Sequence, residues 1–76
     1  MKDVIINMIK AMNPYEQIDE NTELIESGIL DSLSIIGLIT DLEDEFGIEI
    51  AEDAITAKNF TTVLEIVRLV EECGKT

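Results

Sequence analysis

Apolar residues recur three and four positions apart in three separate stretches of this 76-residue chain, and strand-like alternation never persists. In residues 2–13, Val4, Ile5, Met8, Ile9 and Met12 fall on one stripe about 140° wide, which predicts an amphipathic helix. Asn13-Pro14 stops it, because proline disfavours the helical conformation in the residue before it. Near the other end Thr62 and Glu65 stand at capping-box spacing. They precede a second stripe of Val63, Ile66, Val67, Val70 and Cys73 that ends at Gly74. The third stretch, residues 31–47, has Asp31 as its N-cap and Gly47 as its stop. Between the first two helices, residues 14–30 predict a long loop pinned by Ile18, Leu24, Ile29 and Leu30, with Tyr15 as a further anchor. A short helical turn is expected over Ile55–Phe60.

So short a chain forms one small domain over residues 1–76 and buries only roughly 60% of its unfolded surface. Its apolar content of 46% is too high for a disordered tail. Five basic residues against seventeen acidic ones give a net charge of −12. Residues 11–57 hold thirteen acids and no Lys or Arg. That sign argues against nucleic acid or an anionic membrane as partner and points to basic protein surfaces. With no His and one Cys, the chain cannot form a Ser-His or Cys-His catalytic pair, a His/Cys zinc cage or an internal disulfide. Apolar runs are too short for a membrane span or a signal peptide core. An acidic protein of the cytoplasm, not self-sufficient as an enzyme, is the expectation.

The segment Asp31-Ser-Leu-Ser-Ile-Ile-Gly-Leu-Ile-Thr-Asp-Leu-Glu-Asp-Glu-Phe-Gly47 is the informative one. On a helical wheel Ile35, Leu38, Ile39, Leu42 and Phe46 share the buried face. Leu33 and Ile36 fall outside it, together with Gly37, Thr40, Glu43 and Asp44. Two apolar side chains at a helix start, bordered by acids, form a small docking patch. Ser32 lies in the first turn, where unpaired N–H groups and the helix dipole favour a phosphate. No side chain of this protein serves it as a base, so any chemistry at Ser32 is that of an acceptor modified by another enzyme; a serine common near helix starts is the plain structural alternative.

The hexapeptide Gly28-Ile29-Leu30-Asp31-Ser32-Leu33 resembles the attachment motif of acyl and peptidyl carrier proteins, and the likeness extends over essentially the whole chain. The resemblance implies an all-α four-helix bundle with a short third helix and a long loop between helices 1 and 2. It implies 4′-phosphopantetheine on Ser32, flanked by Asp31 and Leu33, donated by coenzyme A through a phosphopantetheinyl transferase. The arm's thiol then holds an acyl or aminoacyl group as a thioester. Partner enzymes dock on Leu33, Ile36, Gly37, Thr40, Glu43 and Asp44, and the carrier itself is a monomer without catalysis. Ser34 and Gly37 stand where carriers of primary fatty-acid synthesis have acids. Glu26-Ser27-Gly28-Ile29-Leu30 and Ile55-Thr56-Ala57-Lys58-Asn59-Phe60 are more similar to D-alanyl or stand-alone peptidyl-type carriers.

Other chemistries fare worse. A calcium loop begun at Asp19 puts Leu24 where glycine is needed, and one begun at Asp41 puts Phe46 there, so no built metal site is expected, only loose divalent binding to the acids. Cys73 lies on a core stripe and is expected to be a buried small hydrophobe. The rival from another class is an unmodified acidic helical adaptor that grips a basic partner through Leu33 and Ile36.

Overall fold

Periodicity places three α-helices, and a computed structural model of the chain, which describes residues 1–74, contains them: α1 over Lys2–Met12, α2 over Ser32–Phe46 and α3 over Val63–Cys73. The described residues contain no strand. Each helix contributes its apolar face to one core, in which Ile5 and Ile9 of α1, Leu38 and Leu42 of α2, and Val63 and Ile66 of α3 are fully covered. Phe60 completes that core just before α3, with none of its side chain exposed.

The stripes are rotated slightly from their expected centres. In α1 the contact is centred on Ile5 and Ile9, so Val4 turns outward and Ile6 packs against the core from the other side. In α3 Leu69 is buried, while Val67 and Cys73 are only half-buried. Both shifts have one cause. The stripe centre is set by which neighbour the helix meets, and a wheel drawn from one helix holds no information about that neighbour.

Helix ends follow local chemistry. Asp31 takes an extended backbone and its carboxylate accepts the Ser34 N–H at 2.9 Å, which starts α2. Gly47 ends it in the left-handed region (φ 62°), with its own N–H returning to the Glu43 carbonyl. Thr62 caps α3 through the Glu65 N–H at 3.3 Å. The Glu65 side chain faces Arg68 at 3.4 Å, so only the Thr half of the capping box forms.

The expected short third helix is replaced by two 3-10 turns, Glu52–Ala54 and Ala57–Phe60. Ile55 and Thr56 separate them, and Thr56 is extended at φ −127°, ψ 156°. Two consecutive β-branched residues weaken a helix, and the Thr56 hydroxyl accepts the Asn59 N–H at 3.4 Å, so a new turn starts instead of the first continuing.

The long loop is ordered by its apolar anchors. Ile18, Leu24, Ile29 and Leu30 are all buried. The Leu24 N–H donates to the Thr61 carbonyl at 2.8 Å and the Leu30 N–H to the Leu24 carbonyl at 2.9 Å. Lys2 of α1 meets Glu20 at 2.7 Å. Tyr15 is no anchor: it is 99% exposed, because Pro14 turns the chain outward before Ile18 re-enters the core.

Candidate functional site

The chain on both sides of Ser32 is held by local contacts. Gly28 turns the chain at φ 81°, a conformation that side-chain-bearing residues rarely adopt. Ile29 and Leu30 then bury their side chains, and the Asn13 carboxamide reaches the Ile29 carbonyl at 3.5 Å. Asp31 caps, and Ser32 follows as the first residue of α2, exposed to solvent. A buried anchor before it and a capped helix after it fix the direction in which its hydroxyl leaves the surface.

Asp31 does not serve Ser32 as a base. The Ser34 backbone N–H, and then the Ser34 side chain, hold its carboxyl below the ordinary Asp value. It is ionised and engaged in the cap at neutral pH. The opposite shift occurs in the loop before the site, where the Glu26 carboxyl beside Glu23 raises the Glu23 pKa by hydrogen bonding and repulsion. Burial pushes the Cys73 thiol up, with Glu72 and Glu43 adding to it, so this cysteine is a poor nucleophile.

Ser32 opens onto a groove of about 620 Å³. Ile25 and Leu30 from the loop, Ile35 and Ile36 from α2, and Ile55 from between the 3-10 turns line it. Thr56 and Ala57 complete the wall opposite α2. An exposed hydroxyl at the positive end of a helix, beside an apolar groove, suits a phosphate ester that continues into a flexible organic chain. The residues present therefore fit a phosphopantetheine arm.

The docking candidates divide. Leu33 is 81% exposed and Ile36 60% exposed, on the rim around Ser32. Gly37, Thr40 and Asp44 are also exposed. The Thr40 hydroxyl donates to the Ile36 carbonyl at 3.2 Å. Glu43 is half-buried, and its carboxylate accepts the Ile50 N–H at 3.0 Å, which gives it a structural task. Ile25, Ile55 and Thr56 were not among the expected site residues, yet they line the same groove as Ser32. Their signal in sequence was faint: an apolar residue beside the Leu24 anchor, and a β-branched pair interrupting a turn.

Among the described residues no group of three or more His, Cys, Asp or Glu side chains is placed to hold a metal ion. No described helix is long and apolar enough to cross a membrane.

Comparison with known proteins agrees with this geometry. The family model described as "Phosphopantetheine attachment site" matches residues 3–70. The chain is 32% identical over 71 residues to the acyl carrier protein of Wolinella succinogenes, covering 93% of this chain and 88% of that one. It is 31% identical over 74 residues to the D-alanyl carrier protein of Lactococcus lactis subsp. cremoris, covering 95% and 94%. With the D-alanyl carrier protein of Streptococcus pyogenes it shares 39% identity over 57 residues, covering 75% and 70%. A chain in a solved structure titled "Crystal structure of FAD-dependent dehydrogenase" superposes with a TM-score of 0.80 at 31% identity, covering 88% of this chain and 99% of that one. The chain belongs to the phosphopantetheine-binding carrier proteins, non-catalytic subunits whose prosthetic group is covalently attached 4′-phosphopantetheine.

Proposed function

We propose that Ser32 is the attachment residue and that the protein shuttles an acyl or aminoacyl group, as a thioester, between partner enzymes in the cytoplasm. The observation that carries this is the placement of an exposed serine at the capped start of α2, opening onto an apolar groove. In the loading step the Ser32 hydroxyl oxygen attacks the coenzyme A phosphorus that bears the pantetheine. A Ser–O–P bond forms, the pyrophosphate P–O bond breaks, and adenosine 3′,5′-bisphosphate leaves. The hydroxyl proton passes to a base of the transferase, since this chain has no His and Asp31 is occupied by its cap. The bound group supplies a thiol that forms the thioester, while Leu33, Ile36, Gly37, Thr40 and Asp44 face the enzymes that load and unload it.

Several acids and few bases on this surface suit partners with basic docking faces. Likeness to D-alanyl carrier proteins supports a small aminoacyl cargo, and likeness to an acyl carrier protein keeps an acyl cargo as the second reading. Intact mass tests the attachment: with coenzyme A, magnesium and a broad-specificity phosphopantetheinyl transferase, wild type gains one phosphopantetheinyl group and Ser32→Ala gains none. A modified Ala variant moves the attachment to another residue, and an unmodified wild type refutes the assignment. Candidate adenylating enzymes offered D-alanine, other amino acids or fatty acids then identify the cargo by a second mass increment.

A further inference from the structure

The groove beside Ser32 has two sides of very different construction. One is α2, where Ile35 and Ile36 belong to a 15-residue hydrogen-bonded helix. The other is Ile55, Thr56 and Ala57, at the junction of two 3-10 turns. Asn59 holds that junction. Its carboxamide Nδ2 donates to the Ala54 carbonyl at 2.7 Å, on the near side of Ile55. Its backbone N–H donates to the Thr56 carbonyl at 3.1 Å and reaches the Thr56 hydroxyl oxygen at 3.4 Å, on the far side. One half-buried residue thus grips the chain on both flanks of Ile55 without lining the groove itself. Phe60, next in sequence, is fully buried and ties Asn59 to the core.

The grip also orients Thr56. Its oxygen accepts from Asn59, so the hydroxyl proton is not used in that bond, and Thr56 is one of the residues that line the groove. An arm with an apolar branched segment and two amides needs those two things from a wall: aliphatic contact and a hydrogen-bond donor for an amide carbonyl.

We propose that Asn59 is a positioning residue for the prosthetic arm, holding Ile55 and the Thr56 hydroxyl as the surface against which an arm on Ser32 lies. The proposal rests on Ser32 being the attachment residue. It assigns Asn59 an effect on the arm separate from its effect on the bundle.

The experiment compares apo and holo protein, with no partner enzyme present, by NMR of labelled Ile methyl groups. Conversion of wild type is expected to shift both Ile36 and Ile55. In Asn59→Ala the arm's residence at the wall falls about fivefold, the equilibrium factor of one hydrogen bond of ordinary net strength, and the Ile55 shift collapses. Thr56→Val keeps the branched shape, removes the donor and reduces the Ile55 shift in the same direction. A purely structural Asn59 lowers the melting temperature of both forms and leaves the holo-minus-apo shift at Ile55 intact. That result overturns the proposal, as does a wild type that carries the arm's mass yet shows no shift at Ile55. If Asn59→Ala does not fold, the Thr56→Val comparison decides, since Thr56 is exposed. A wild type that gains no mass on treatment defeats the Ser32 assignment first and this proposal with it.

Discussion

The Glu43 carboxylate accepts the backbone N–H of Ile50 at 3.0 Å, fastening the last turns of α2 to the chain that leaves it. Its neighbour Asp44 is exposed, with its carboxylate turned to solvent. Adjacent acids on one helix therefore have different work: one closes the α2 end, the other contributes charge to the outer surface.

Separate variants distinguish the two roles. Glu43→Ala leaves the Ile50 N–H without its side-chain acceptor and is expected to cost about 1 kcal/mol, a fall of about 4–8 °C in melting temperature for a domain this small. Glu43→Gln keeps an acceptor oxygen and recovers most of the loss. Asp44→Lys leaves the melting temperature near wild type and slows association with a basic partner enzyme. That slowing shrinks as salt rises and the Debye length falls below about 10 Å at 0.1 M. Stopped-flow association at two salt concentrations measures it, and an unchanged on-rate at low salt removes Asp44 from the docking surface.

The helix was legible before the structure, but this division was not, since the wheel puts Glu43 and Asp44 on the same outer face. The α2 boundaries follow from Asp31 and Gly47, because a cap and a left-handed stop act within a few residues of chain. The outward placement of Leu33 and Ile36 follows from the 3.6-residue period alone. The Glu43–Ile50 bond does not, because it depends on how the chain folds back after Gly47. Ile25 and Ile55 are far apart in sequence and meet at the groove only through tertiary packing, so no local pattern marks them as a pair. Tyr15, beside Pro14, reads as a loop anchor in sequence, yet Ile18 and Leu24 take that place and Tyr15 stays exposed.

Asp31 and Glu23 respond to pH with opposite sign. Asp31 has a folded pKa below its ordinary 3.8, so its contribution to stability is complete above that value and is lost as the pH falls through the lower folded pKa. Glu23 has a folded pKa above its ordinary 4.5, because its hydrogen bond with the Glu26 carboxyl, and then that carboxyl's charge, favour its protonated form. Its ionisation disfavours the folded state above the folded pKa, and the penalty disappears below 4.5. Melting temperatures from neutral pH down to strongly acidic pH check both. Asp31→Asn retains a capping oxygen and shows a flatter acid limb than wild type. Glu23→Gln melts higher than wild type at neutral pH, and the difference vanishes in acid. An advantage for Glu23→Gln that persists at low pH assigns the effect to something other than the Glu26 charge.

Gly37 gives the sharpest test of the docking face. It lies inside α2, where glycine is less favourable than alanine by roughly 0.5–1 kcal/mol. A Cβ built on it meets nothing within 4 Å, and its φ is not positive, so alanine enters without a clash or backbone strain. Gly37→Ala is therefore expected to raise the melting temperature by a few degrees, at about 4–8 °C per kcal/mol. Gly37 also follows the exposed Ile36, so an enzyme seated on that side chain approaches the helix backbone here. The added methyl is then expected to slow loading by the cognate enzyme while the free protein becomes more stable. Opposite signs in the two measurements separate docking from folding within a single variant. Higher stability with full-rate loading places the partner's contact elsewhere on α2. A lower melting temperature contradicts the open surface at position 37.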